Sequence, residues 1–232
     1  MNTALVTGAG RGIGLATARA FLGAEWRVLA LDKDFSAFDL APSASLAAIR
    51  FDLRALGEIP GLVASLGEIH TLVNNAAVLY CEPYDAIPEE HKREIITVNL
   101  EAPVALMNAV APQMRARKSG RIVNVASVAA FTGHPDLLYG ATKAALLNVT
   151  KSYAALLGKD GILVNAVAPG PTLTAIYEQL PASRREAVMK SVYSGRVCRP
   201  EEVAQTILWL GAQCPEYMIG TTLDVNNGSY PR

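Results

Sequence analysis

Residues 3–14 read Thr3-Ala4-Leu5-Val6-Thr7-Gly8-Ala9-Gly10-Arg11-Gly12-Ile13-Gly14. The first five are a short apolar run of strand character, and the next seven are a glycine-rich turn. An alanine-rich stretch follows, with Ile13, Ala16, Ala20 and Phe21 at helical spacing. Strand, glycine turn and helix in this order form the context that a dinucleotide site requires. Glycines let the backbone turn sharply and approach a pyrophosphate with no Cβ in the way. The helix N-terminus offers free N–H groups and a partial positive charge to the phosphates.

The pattern continues outward from this unit. Trp26 to Leu31 reads as a second strand ending at Asp32. An acid about 20 residues beyond the glycines can accept hydrogen bonds from ribose hydroxyls. It would repel a 2′-phosphate by roughly 4 kcal/mol at contact and an effective dielectric of 20, which favours NAD over NADP. Arg11 and Lys33 act in the opposite sense, since either could hold a phosphate.

Further strands are expected at Leu46 to Phe51, Ile69 to Val73, Ile122 to Val125, Ile162 to Ala168 and Thr221 to Val225. Helices are expected over 54–66, over Pro88 to Leu100 and Ala102 to Arg117 as one broken helix or two, from Asp136 to Leu157, and from Pro200 to Leu210. In the long pair, Ile95, Ile96, Leu106 and Val110 would share the apolar face. Asp52, after the third strand, could cap the next helix or hold an adenine amino group. Asn99 sits in an apolar helical run, where a buried amide needs partners. Residues 172–198 lack a core pattern and read as a lid. Strands alternating with helices from end to end predict one α/β domain built on a doubly wound parallel sheet.

Composition narrows the function. The 232 residues are 51% hydrophobic and 18% charged, with a formal net charge of zero. That balance supplies a core and gives no electrostatic footprint for nucleic acid or an anionic membrane. The longest apolar runs are interrupted before ~18 residues, so no membrane-spanning helix and no signal peptide are expected. Cys81, Cys198 and Cys214 form no Cys-x-x-Cys pair, and His70, His91 and His134 are scattered. A reduced cytoplasmic protein without a metal site fits these six.

The second informative stretch runs from Ser127 to Lys143. Tyr139 and Lys143 are four apart and share a face if the segment is helical. Alone, that spacing describes an ordinary helix surface in a chain with 8 tyrosines. Chemically, a fixed ammonium beside a phenol favours the phenolate and lowers its pKa from about 10. Such a phenol can exchange a proton with an alcohol or carbonyl oxygen. Ser127, across a turn marked by Gly133 and Pro135, could hydrogen-bond the same oxygen.

Taken together, these residues resemble the short-chain dehydrogenase/reductase family in its shorter form. The likeness spans nearly the whole chain. It rests on Thr7-Gly8-x-x-x-Gly12-x-Gly14, Asn74-Asn75-Ala76, Asn99, Ser127, Tyr139-x-x-x-Lys143, Pro169-Gly170 and the Arg196 to Ala204 segment. The resemblance implies a single Rossmann-fold domain over 1–232 and hydride transfer between a nicotinamide cofactor and a secondary alcohol or ketone. It makes Tyr139 the acid/base and Ser127 the group that orients the substrate oxygen. Lys143 would depress the tyrosine's pKa and hold the nicotinamide ribose, and Asn99 would hold a water in the proton relay. Gly8, Arg11, Gly12, Ile13 and Gly14 would line the pyrophosphate, and Asp32 and Lys33 the adenosine ribose. Asp52 and Leu53 would flank the adenine, and Asn75, Ala76, Pro169, Gly170, Thr172 and Thr174 the nicotinamide half. The family implies a small-molecule substrate and a homo-oligomer, dimer or tetramer, through the helices near 101–117 and 136–157.

The chain departs from the pattern in places. Ala77 stands where glycine is common, Ser127 and Tyr139 are one residue closer than usual, Cys198 replaces a glycine, and Asn226-Asn227-Gly228 replaces Asp-Gly-Gly. An NADPH-dependent 3-oxoacyl reductase is the nearest rival activity. A cofactor-sensing regulator would keep the fold and lose Ser127, Tyr139 or Lys143, all of which are present.

Overall fold

The computed structural model describes residues 1–231. Seven strands form one parallel sheet: β1 (Thr3–Thr7), β2 (Arg27–Asp32), β3 (Leu46–Arg50), β4 (Thr71–Asn74), β5 (Gly120–Val125), β6 (Ile162–Pro169) and β7 (Thr222–Val225). Their spatial order is β3-β2-β1-β4-β5-β6-β7. The chain therefore winds outward from β1 in one direction, then returns and builds in the other. The reversal between β1 and β4 opens a crevice at the strands' carboxyl ends, where doubly wound sheets bind ligands.

Parallel strands covered on both faces read as continuous apolar runs, and β1 and β6 are buried at every position. One face packs Leu5, Leu29, Leu72 and Ile122 against helices α2 (Ile59–Ser65), α4 (Ala102–Ala116) and α5 (Leu137–Leu157). The other packs Val6, Val28, Val73 and Val123 against α1 (Gly12–Gly23) and α8 (Pro200–Leu208), through Phe21, Val203 and Ile207. Between β6 and α8 lies the lid, with two short helices, α6 (Ala175–Glu178) and α7 (Ala182–Ser191).

Several expectations shift. The predicted helix over 54–66 is a 3-10 turn at Leu56–Glu58 followed by α2. Pro60, tolerated near a helix N-terminus, sits in the first turn of α2. Asp52 consequently caps no helix. Its carboxylate accepts from the Arg54 N–H at 3.0 Å and from the Arg54 guanidinium at 2.6 Å. The long pair is one continuous run in which α3 (Glu89–Ile96) joins α4 through a π-helical turn, Thr97–Glu101. Ile95 is buried but Ile96 is 40% exposed, because neighbouring helical positions point about 100° apart. This Glu89–Ala116 run is, by length and composition, apolar enough to cross a membrane, contrary to the sequence expectation. Half of its apolar window is buried inside the molecule, where Leu106, Met107, Val110 and Met114 fill the core.

Candidate active site

The crevice is a cavity of ≈ 760 Å³ running from Asp32 at one end to Arg184 at the other. At its centre Gly8 adopts φ +64, and a Cβ there would lie 2.8 Å from the Ala76 Cα. Only glycine meets both demands without strain. Asn75 holds the same loop, its Nδ2 donating to the Thr7 carbonyl at 2.9 Å and to that of Gly8 at 3.2 Å. The Thr7 hydroxyl accepts from the N–H groups of Asn75 (3.0 Å) and Ala76 (3.1 Å). Gly12 and Ile13 open α1 into the cavity. Gly14 does not line it and instead lets the helix pack against Gly8. The α1 N-terminus has no side-chain cap and no acid in its first turn. Its leading N–H groups are therefore suited to an external anion. These features fit the pyrophosphate of a dinucleotide.

At the far end of β2, Asp32 accepts from the Gly10 N–H at 2.8 Å and the Asp34 N–H at 3.0 Å. Lys33 is paired with Glu94 at 3.2 Å, and the Tyr80 hydroxyl donates to the other Glu94 oxygen at 2.7 Å. Burial first, then this bond to Glu94, pushes the Tyr80 phenol up to about 12. Arg11 is exposed at the cavity mouth and, among the described residues, makes no ion pair. Asp52 and Leu53 form the wall beyond. On the opposite side Pro169, Gly170, Thr172 and Thr174 descend from β6. The Thr172 hydroxyl donates to the Gly170 carbonyl at 3.0 Å.

Ser127 follows β5 in extended backbone and starts a 3-10 turn, its Oγ accepting from the Ala129 N–H at 3.1 Å. This turn brings its hydroxyl to Tyr139 in the first turn of α5. Lys143, one turn on, is buried. Its Nζ donates to the Val125 carbonyl at 2.7 Å and lies 5.6 Å from the Tyr139 ring centroid. The electrostatics differ from the expectation of a depressed tyrosine. Burial raises the Tyr139 phenol above its ordinary value, the Ser127 hydrogen bond pulls it down, and Asp136 raises it further. Burial alone pushes the Lys143 ammonium down to about 8. Desolvation is thus the leading influence on both groups, and it moves their proton affinities apart, the phenol upward from its ordinary value and the ammonium downward.

Asn99 lies outside the cavity wall. Its Oδ1 accepts from the Val78 N–H at 2.8 Å, and its Nδ2 donates to the Val78 carbonyl at 2.9 Å and the Thr142 hydroxyl at 3.3 Å. The side chain is therefore committed to the loop after β4. The π turn around it leaves backbone carbonyls out of the i→i+4 pattern, a common device at functional sites. Sequence reasoning missed Arg184 and Asp136. Arg184, on α7, binds the Asp136 carboxylate at 2.6 and 3.3 Å. His134 sits between them and Tyr139, its ring 5.6 Å from the tyrosine's.

The parallel sheet, the glycine turn and the Ser127, Tyr139 and Lys143 cluster are those of a dehydrogenase, and residues 2–185 match the short chain dehydrogenase family model. The chain belongs to this family and is an NAD(P)-dependent oxidoreductase. It is 35% identical to galactitol 2-dehydrogenase of Agrobacterium fabrum, over 99% of this chain and 97% of that one. It is 34% identical to the 3-oxoacyl-[acyl-carrier-protein] reductase of Thermotoga maritima, over 97% and 96%. A solved structure from Beutenbergia cavernae, provisionally named an NAD(P)-dependent gluconate 5-dehydrogenase and carrying NADP, superimposes with a TM-score of 0.90 at 31% identity. That match covers 98% of this chain and 96% of the other.

Proposed function

We propose that the enzyme transfers hydride between NAD and a secondary alcohol or its ketone, and that the physiological substrate is a polyol or ketose. The observation that carries the reaction is that Ser127, Tyr139 and Lys143 line one cavity, with the Lys143 ammonium one turn behind Tyr139 and 5.6 Å from its ring centroid. In this reading Ser127 orients the substrate oxygen, and Tyr139 takes its proton in oxidation or returns it in reduction. Lys143 supplies the positive field that stabilises the phenolate as it forms. Asn99 fixes the loop after β4, and the π turn around it would offer a backbone carbonyl to a water of the proton relay.

A nicotinamide dinucleotide, when bound, supplies the hydride acceptor or donor. Gly8, Arg11, Gly12 and Ile13 would hold its pyrophosphate, with Gly14 packing α1 against their turn, and Asp32 its adenosine ribose, flanked by Asp52 and Leu53. Asn75, Ala76, Pro169, Gly170, Thr172 and Thr174 would hold the nicotinamide half with Tyr139 and Lys143. The preference for NAD rests on Asp32. A carboxylate has about four acceptor positions, and two backbone N–H groups use only part of that capacity. Lys33 is neutralised by Glu94. The polyol reading is supported by relatives named galactitol 2-dehydrogenase and sorbitol dehydrogenase. It is also supported by Thr132, His134, Gln179 and Ser191 in the cavity wall.

A second reading, an NADPH-dependent 3-oxoacyl reductase, is favoured by the exposed Arg11, by the 3-oxoacyl reductase relatives and by NADP in two structural neighbours. Fluorescence titration with NADH and NADPH separates the two. Tighter NADH binding, reversed in Asp32→Ser, is the expected result. Tighter NADPH binding in the parent would put the reductase first, and binding of neither would end both readings. We also propose a dimer or tetramer through the outer faces of α4 and α5, where Leu156 of α5 is exposed, as is Ile96 at the end of α3 in the same continuous run as α4. Light scattering at the mass of a single chain would refute it.

A further inference from the structure

We propose that the Arg184–Asp136 ion pair determines substrate specificity by balancing the charge of the substrate half of the cavity, so that it accepts an uncharged polyhydroxylated chain and rejects the same chain bearing a carboxylate. This inference rests on the dehydrogenase reading and names the substrate class within it. The cavity wall carries four cations: Arg11, Lys33, Lys143 and Arg184. Arg11 and Lys33 stand at the end with Asp32, and Lys143 is buried behind Tyr139. Arg184 is the cation that a substrate under the lid would meet.

Its charge is already matched. Nη2 lies 2.6 Å from one Asp136 oxygen and Nη1 3.3 Å from the other. The Asp136 side chain is 5% exposed and that of Arg184 27%, so the pair is held largely away from water and is weakly screened. A carboxylate placed beside it meets an anion and a cation at similar distances and gains little. A hydroxyl loses nothing by this arrangement. Arg has five N–H donors, and those not engaged by Asp136 or by the long contact from Nη1 to the Cys81 sulfur (3.7 Å) remain for oxygen lone pairs. His134 adds no charge of its own at neutral pH. Burial lowers its pKa, and its Nδ1 accepts from the Asp136 N–H at 3.2 Å. The carboxylate at Asp136 makes no capping bond to α5, so the helix start does not require it. Its evident contact is with the lid.

Galactitol and galactonate test this, because they share a six-carbon chain and differ by one carboxylate. Their binding is measured by calorimetry on the enzyme loaded with NAD, in a Tyr139→Phe background so that neither is turned over. We expect the parent to bind galactitol at least fivefold tighter. Asp136→Asn keeps the shape, is an equally good residue before a helix, and leaves the guanidinium uncompensated. It should move the galactitol:galactonate ratio at least fivefold toward galactonate. Adding Arg184→Gln should return the ratio to the parent's. Equal or tighter galactonate binding by the parent overturns the proposal. So does a shift below fivefold in Asp136→Asn, or a shift that survives Arg184→Gln. Binding of neither probe overturns it too, while turnover of another alcohol with NAD by the Tyr139 parent would leave the dehydrogenase reading intact.

Discussion

Lys143 donates its buried ammonium to the carbonyl of Val125 at 2.7 Å, tying the helix that carries Tyr139 to the last residue of β5. The bond fixes the charge behind the phenol and leaves it in a desolvated site. A buried, weakly solvated ammonium is easy to deprotonate, which is why its pKa falls to about 8.

That shift makes a pH-dependent prediction for stability. The native state binds fewer protons than the unfolded chain between about 8 and the ordinary lysine value of 10.5. The group's cost is therefore fully present below pH 8 and is relieved as pH rises through that window. Lys143→Met removes the titration. Urea unfolding at pH 7 and pH 10 should find the parent gaining on the variant as pH rises, by up to about 3 kcal/mol. A stability difference independent of pH would contradict the assignment.

Tyr139→Phe removes the phenolic oxygen and little else. Turnover should fall by roughly 10²-fold to 10⁴-fold, with cofactor affinity changed by less than about threefold. Steady-state rates and an NADH titration on the same preparation check both halves. Retained activity would remove Tyr139 from the reaction.

Gly8→Ala forces a side chain into left-handed backbone and against the Ala76 Cα. Strain of about 1–2 kcal/mol falls on the loop proposed to carry the pyrophosphate. NADH affinity should weaken at least tenfold while the circular dichroism spectrum stays native.

Asn99→Leu is close to isosteric but abandons both backbone groups of Val78. Orphaning these partly buried groups should cost about 2–4 kcal/mol in chemical denaturation. A loss below about 1 kcal/mol would mean that water replaces the amide.

Glu202 anchors the return of the lid into α8. Hydrogen bonds from Arg196 first and the Arg199 N–H next hold its carboxyl down to about 2. Stability from this group is present above the usual glutamate value and is lost as pH falls toward 2. Glu202→Gln should therefore be less stable than the parent at pH 6, and the difference should close near pH 2. Protease nicking within 172–198 should rise in parallel at neutral pH.

What could be read in the sequence depended on distance along the chain. The glycine turn, Asp32 and the Tyr139 and Lys143 spacing are local patterns, so their geometry follows from the helix and strand periods. Asn99 was conspicuous as an amide in an apolar run, but its partner Val78 lies 21 residues away and was not legible. Arg184 and Asp136 are 48 apart, and the lid between β6 and α8 has no apolar period to orient α7. The Tyr139 proton affinity was misread because burial, which no spacing encodes, exceeds the pull of its neighbours. The π turn after Ile96 leaves no mark that strand or helix periodicity could detect.

The two ends of the lid are stapled together. The Leu173 N–H donates to the Cys198 carbonyl and the Cys198 N–H to the Pro171 carbonyl, both at 2.8 Å, and Thr172 pairs with Cys198 as a parallel bridge. The closure entropy of this segment is thus met at its own base. Doubling the length of a flexible loop costs only about 0.6 kcal/mol, so insertions here would scarcely be felt by β6 or α8. The lid is in that sense an exchangeable cassette on a fixed chassis. Grafting it from one relative to another should carry substrate choice with it, provided the incoming segment still supplies a partner for Asp136.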